Sequence, residues 1–248
     1  MELLFGDCLN ILPEIEDNSI DLLFCDLPWN ATHCNWDCLI NLDELWKQFN
    51  RICKEDTPMI FMCSVKFGNT LINSNTKCFR YELIWEKTRA TGHLNSKKLP
   101  LKSHEMIYIF YRKLSKVYTE NIELNHKYKF IKNNNKSLHE TKTDEVYNIT
   151  NHNPYELTPK EKSSTVYNPP LPNSILKFKS ESGKHSTQKP IALMKWLLKY
   201  YSREGAVVLD PTCGSGSMGV ACNSMNRTFI GIEKDISIFE IAMERLVT

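Results

Sequence analysis

Residues 206–209 read as a buried strand that runs into Asp210-Pro211-Thr212-Cys213-Gly214-Ser215-Gly216, and this loop opens a helix over residues 217–225. A second strand over 228–232 and a helix over 236–246 follow. Such a strand–loop–helix–strand unit exposes apolar surface on both faces of its strands, so it needs a wider, doubly wound sheet around it. With the chain ending at Thr248, the remaining strands are expected from the N-terminal half. Candidates there are 20–25, 59–63, 81–85 and 106–111, each short and rich in apolar residues. Leu42, Leu45, Trp46, Phe49, Ile52 and Cys53 recur at helical spacing behind an Asn41 cap. The alternation of strands and helices predicts an α/β fold with a mostly parallel sheet, its parts in permuted order.

The run over 20–25 ends in Asp26-Leu27-Pro28-Trp29. In open α/β sheets, ligands bind at the carboxyl ends of strands. A carboxylate, a backbone carbonyl, a rigid proline and a large aromatic at such an end suit a flat amine, held by its N–H groups and stacked on its ring. The permuted order is expected to set Asp26 beside the glycine loop, across a single cleft.

Bulk properties exclude more than they assert. Lys and Arg total 31 against 29 Asp and Glu, a net charge of +2, which neither requires nor forbids a polyanionic partner. No apolar run approaches the roughly 18 residues of a membrane span, and the first residues lack a signal peptide's basic start and cleavage site, so an intracellular, cytoplasmic protein is expected. The nine cysteines are odd in number, which favours reduced thiols. His33-Cys34 with Cys38 is the one tempting cluster, and no second pair stands at zinc-finger spacing, so no metal is expected.

Gly214-x-Gly216-x-x-Gly219, with Glu233 downstream, matches a dinucleotide fingerprint. Glycines let backbone approach a ligand, and a carboxylate after the next strand grips a ribose diol. Asp210-Pro211-Thr212-Cys213 intervenes between strand and first glycine, however, and a carboxylate there repels the pyrophosphate of a nicotinamide cofactor. It suits the ammonium of an amino-acid moiety. S-adenosylmethionine carries an ammonium, a sulfonium and a ribose, with no phosphate.

Together these segments resemble the amino-group DNA methyltransferases, adenine-N6 and cytosine-N4, of the subclass whose catalytic motif precedes the cofactor motif. Asp26-Leu27-Pro28-Trp29 is similar to the family's Asp-Pro-Pro-Tyr/Trp, and Asp210 to Ser217 to its Asp-Pro-Phe-x-Gly-Ser-Gly-Thr. His185-Ser186-Thr187-Gln188-Lys189-Pro190 resembles its His-Pro-Thr-Gln-Lys-Pro, Gly231-Ile232-Glu233 its ribose-binding strand end, and Gly6-Asp7-Cys8 its usual start. Leu27, Thr212 and Ser186 depart from the pattern by replacing proline, phenylalanine and proline.

The resemblance implies a Rossmann-like class I fold and methyl transfer from S-adenosylmethionine to the N6 amino group of an adenine flipped out of double-stranded DNA. Asp rather than Ser at position 26 leans toward adenine over cytosine-N4. Asp26, Leu27, Pro28 and Trp29 would be catalytic. Asp7 and Cys8 would meet the cofactor adenine and Glu233 its ribose. Asp210, Thr212, Cys213, Gly214, Ser215 and Gly216 would wrap the methionine part beside Asp26, with His185, Thr187 and Lys189 near its carboxylate. A cofactor-dead, catalytically weak DNA-binding relative is a further alternative. The division is then a catalytic half over 1–114, a polar insertion over 115–182 that reads the target sequence, and a cofactor half over 183–248. Homodimerisation and a cognate restriction endonuclease are the partners common in this subclass, and the Asn- and Lys-rich composition hints at an AT-rich viral, phage or bacterial genome.

Overall fold

The computed structural model describes residues 1–28, 40–115, 172–181 and 188–247. Eight strands form one sheet in the order β1-β8-β7-β2-β3-β5-β4-β6. They are β1 (Glu2–Phe5), β2 (Leu22–Cys25), β3 (Met59–Cys63), β4 (Phe79–Thr91), β5 (Lys102–Phe110), β6 (Ile175–Phe178), β7 (Val207–Asp210) and β8 (Thr228–Glu233). Helices α1 (Cys8–Ile11), α2 (Leu42–Ile52), α3 (Val65–Ser74), α4 (Ile191–Tyr201), α5 (Ser217–Ser224) and α6 (Ile236–Val247) flank it. Among these strands only β5 runs antiparallel to its neighbours β3 and β4, so the sheet is mostly parallel as expected.

Period-two alternation splits the core between the two faces of the sheet. Leu22, Phe24, Ile60 and Met62 point to a layer built by α4 and α5, where Leu193, Met194, Leu197, Met218 and Ala221 are buried. Leu23, Cys25, Met59, Phe61 and Cys63 point to the opposite layer, with Leu45, Trp46, Phe49 and Ile52 of α2 and Phe67 and Leu71 of α3. Residues covered on both faces of the sheet explain why these strands read as unbroken apolar runs.

Local chemistry accounts for the helix ends. The Asn41 side chain accepts from the N–H of Asp43 and Glu44 at 3.0 and 3.3 Å, Asp43 and Glu44 lie in the first turn and Arg51 in the last. Each charge complements the helix dipole. Pro190, with φ −64°, is the N-cap residue of α4.

Several sequence expectations shift. Ile20 sits outside β2, in an isolated bridge to Cys53. The strand expected over 81–85 extends across Phe79–Thr91 and makes a long hairpin with β5. Ile175–Phe178, from the polar insertion expected over 115–182, adds a parallel strand beside β4. The remainder of that stretch from 116 to 171, with its tyrosines, and the His33-Cys34-Cys38 cluster lie outside the described residues.

The connections fix the site. From β2 the chain runs through α2 to β3 on one side, whereas from β7 it runs through α5 to β8 on the other. The β2–β7 pair is therefore where the winding reverses, and ligands bind outside the carboxyl ends at such a point. Helix α5 sits close to β8 because Gly219 has no side chain. A Cβ there would stand 2.6 Å from Leu246 Cδ2 and 2.7 Å from Phe229 Cε1, and Phe229 is fully buried. Gly219→Ala is therefore expected to destabilise by about 1–3 kcal/mol through overpacking. In thermal unfolding the midpoint should fall by several degrees, and an unchanged midpoint contradicts this packing.

Candidate active site at the β2–β7 switch point

Four parallel strands, β1, β8, β7 and β2, bring their carboxyl ends to one edge of the sheet. Asp7 follows β1, Glu233 ends β8, Asp210 ends β7 and Asp26 follows β2. The expected site residues within the described part thus meet along one edge. Trp29, His185 and Thr187 lie outside the described residues.

Asp26-Leu27-Pro28 and the glycine loop touch directly. The Thr212 hydroxyl donates to the Asp26 carbonyl at 3.2 Å and lies 3.4 Å from Cys25 Sγ. Its own N–H donates to Asp210 Oδ1 at 3.2 Å, so one residue ties the end of β7 to the turn after β2. Leu27 is buried, and Pro28 is half-buried.

The loop itself is held by Glu233. Gly214 N–H donates to Glu233 Oε2 at 3.0 Å and Asp235 N–H to Oε1 at 2.8 Å, while Gly6 N–H reaches the Glu233 carbonyl at 3.0 Å. Gly214 and Gly216 have φ of +53° and +76°, a region that side chains rarely adopt. Nothing lies within 4 Å of a Cβ built on Gly214, which leaves open space over the loop. On the far side, Arg245 Nη1 of α6 donates to Ser215 Oγ at 2.8 Å and to the Ser215 carbonyl. Asp7 caps α1 by accepting from Leu9 N–H at 2.9 Å, which seats buried Cys8 at the same edge.

Lys189 stands on the Asp26 carboxylate, with Nζ bonded to Oδ2. Its second acidic neighbour is Glu105 of β5, whose Oε2 is 3.7 Å away. Glu105 Oε1 is paired with Lys87 of β4. The sequence singled out neither Glu105 nor Lys87. The signal was slight, a charged Lys102-Ser103-His104-Glu105 run ahead of apolar residues, which the structure turns into the first half of β5.

Burial dominates the electrostatics. It raises the Asp26 carboxyl above the usual range, against the pull of Lys189 and with the help of Glu105. Burial alone would lower Lys189, but Asp26 and Glu105 more than offset this and raise it. Glu105 sits below its ordinary value because Lys189 and Lys87 outweigh its burial. Asp210 is pushed well up by burial, opposed by the Thr212 N–H and reinforced by Asp26 and Glu233. Burial also raises the thiols: Cys8 and Cys63 to about 12, and Cys25 and Cys213 well above 9.0. A thiolate is the nucleophilic form of cysteine. These cysteines are packing residues, and among the described residues no cluster of His, Cys, Asp and Glu is set to hold a metal ion.

The chain is 25% identical over 272 residues to type II methyltransferase M.HinfI of Haemophilus influenzae, covering 98% of this chain and 67% of that one. Its fold matches the M1.HpyAVI–SAM complex with a TM-score of 0.64 at 20% identity, covering 100% of this chain and 99% of the other. It matches PvuII DNA methyltransferase, described as cytosine-N4-specific, with a TM-score of 0.64 at 15% identity, covering 99% and 86%. These likenesses show a shared α/β fold. The model of the N6_N4_Mtase family, DNA methylase, matches residues 20–244, and with that match the chain belongs to this DNA methylase family.

Proposed function

We propose that the protein is a site-specific DNA methyltransferase that transfers a methyl group from S-adenosylmethionine to the N6 amino group of adenine. The observation that carries the reading is the contact between Thr212 and Asp26, since it sets a carboxylate suited to an amine against a glycine loop suited to the donor. The donor set fits S-adenosylmethionine on its own chemistry. The loop offers open space over Gly214, Asp210 stands where an ammonium is wanted, and the Glu233 carboxylate, held by the Gly214 and Asp235 N–H groups, is suited to ribose hydroxyls. When bound, this cofactor supplies a methyl group on a positively charged sulfonium.

The protein's own groups then have one task, orientation. The exocyclic nitrogen of adenine is a weak nucleophile because its lone pair is delocalised into the ring. In the proposed geometry the Asp26 carboxylate accepts one N–H and the Leu27 carbonyl the other. The nitrogen is thereby drawn towards tetrahedral, with its lone pair aimed at the methyl carbon. On bound S-adenosylmethionine the new N–C bond would form at the expense of the C–S bond, whose electron pair would stay with sulfur. Positive charge appears on nitrogen beside Asp26, which stabilises it. The surplus proton leaves along the Asp26 hydrogen bond towards water, since that side chain is 25% exposed. An adenine inside a duplex cannot reach such a pocket, so it is flipped out, with Trp29 as its stacking partner in this reading. Pro28 stiffens the turn that presents both acceptors.

Cytosine-N4 is the second reading, favoured by the likeness to PvuII DNA methyltransferase. Asp at position 26 supports adenine on the family's own tendency. Double-stranded DNA is the proposed partner, sequence readout is assigned to the segment over 115–182, and a cytoplasmic setting follows from the DNA substrate. Among the described residues no helix is long and apolar enough to cross a membrane.

Asp26→Ala is expected to bind S-adenosylmethionine with unchanged affinity by calorimetry yet lose transfer by at least about 10²-fold, the scale of removing one preorganised electrostatic partner. Methylation of duplex DNA at the wild-type rate would refute Asp26's role. Thr212→Val keeps the shape and removes the hydroxyl; a single hydrogen bond of about 0.5–1.5 kcal/mol predicts a two- to tenfold loss in kcat with cofactor affinity retained. Equal kcat for the two proteins would count against the clamp. Nucleoside analysis of DNA treated with the protein should yield N6-methyladenine, and N4-methylcytosine in its place would reverse the choice of base.

A further inference from the structure

One oxygen of the carboxylate that the proposed chemistry needs is already taken. Lys189 Nζ is bonded to Asp26 Oδ2, and an ammonium in that seat competes with the target amine for the same acceptor. It would also stand next to the positive charge that develops on the nitrogen. Yet Lys189 cannot simply leave for water, because its side chain is only 12% exposed.

A second seat lies next to it. Glu105 Oε2 is buried and makes no hydrogen bond among the described residues, although Glu105 Oε1 is occupied by Lys87. A buried carboxylate oxygen without a hydrogen bond is costly and rare in folded proteins. This oxygen stands 3.7 Å from Lys189 Nζ, within ion-pair reach and just beyond a hydrogen bond. A shift of about 1 Å would bring Nζ to the 2.7–2.9 Å of a charge-assisted hydrogen bond.

We propose that Glu105 is a positioning residue: it receives Lys189 when the target amino group claims Asp26, so that Lys189 moves between two carboxylates during each turnover. The inference rests on the methyltransferase reading for its purpose, but not for its geometry. In the free protein Lys189 neutralises Asp26, which is otherwise a half-buried anion waiting for substrate. When the substrate N–H donates to Asp26, the ammonium slides to Glu105 Oε2 and fills the vacant hydrogen-bonding position. The ammonium is then farther from the nitrogen that becomes positive. No proton changes hands.

The charged and titratable surroundings set the pH signature. Around this pair lie Asp210 at the end of β7, Cys63 at the end of β3, Lys87 on β4, and Lys102 and Glu105 on β5. Glu105 repels the Asp26 charge, so removing its charge lets Asp26 ionise at lower pH. Loss of the second seat, by contrast, holds Lys189 on Asp26 and slows transfer. The two effects have opposite signs, which a merely damaged site does not produce.

Two measurements test this. The first needs no activity: a crystal structure of Asp26→Asn, whose side chain no longer carries the charge that holds Lys189. Nζ is expected within hydrogen-bond distance of Glu105 Oε2, and a Lys189 that stays on residue 26 or turns to solvent overturns the proposal. The second is the pH dependence of methyl transfer to duplex DNA by Glu105→Gln, alone and combined with Lys189→Met. Glu105→Gln should lower the plateau kcat at least tenfold, move the acid limb to lower pH, and leave the Kd for S-adenosylmethionine within twofold. In the Lys189→Met background the same change should have no further effect on kcat. Losses that multiply, or a Glu105→Gln enzyme with wild-type kcat, contradict the shuttle while leaving the methyltransferase reading intact. Absence of transfer by the wild-type protein would instead remove that reading, and the Asp26→Asn structure would still decide the movement.

Discussion

The pairing of β2 with β7 is the constraint on which the site depends. These strands come from opposite ends of the chain, and Leu22 and Leu23 lie in parallel register with Val208 and Leu209. Asp21 extends the lock at the other end of the pair. Its N–H donates to the Val207 carbonyl at 2.9 Å, and its Oδ2 accepts from Val207 N–H at 2.9 Å. A one-residue slip would turn every side chain of β2 to the wrong face, and two apolar layers oppose this. Register fixed in this way delivers Asp26 and Thr212 to within a hydrogen bond of each other.

What the fold brings together is mostly negative, and this shapes the chemistry. Asp26, Asp210 and Glu233 crowd one sheet edge and are all raised by burial. Such a site favours a cationic occupant, an ammonium supplying charge and hydrogen-bond donors and a sulfonium supplying charge alone, and disfavours phosphate. Lys189, flanked by Glu105 and Lys87, is the cation that pairs with Asp26 at this edge.

Much of this was legible in the chain because it follows short-range rules. The Asn41 cap, the strand Met59–Cys63, the glycine loop and the permuted order all come from periodicity and turn chemistry. The family motifs within the described residues fall along one edge of the sheet. Other features were hidden for physical reasons. Helix α3 is built on Gly68, Asn69, Thr70, Asn73 and Ser74, poor helix formers that tertiary packing overrides. Strand β6 is four residues in a polar stretch and exists through its pairing with β4. Its burial pattern alternates, which four residues are too few to reveal. Glu105 acquires meaning only from Lys87 and Lys189, 18 and 84 positions away in sequence, and no local pattern reports such a contact. Thr212 reads as a departure from the family pattern, whereas in space its hydroxyl joins the two halves.

The most direct test of the central claim is a structure of the protein with duplex DNA and a cofactor analogue that lacks a transferable methyl group. The account predicts an extruded base whose amino nitrogen lies within hydrogen-bond distance of the Asp26 carboxylate. The analogue's amino-acid end should lie against the Asp210–Gly216 loop, with its ribose at Glu233. A base that remains stacked in the duplex, or an analogue bound away from the β2–β7 edge, would contradict it.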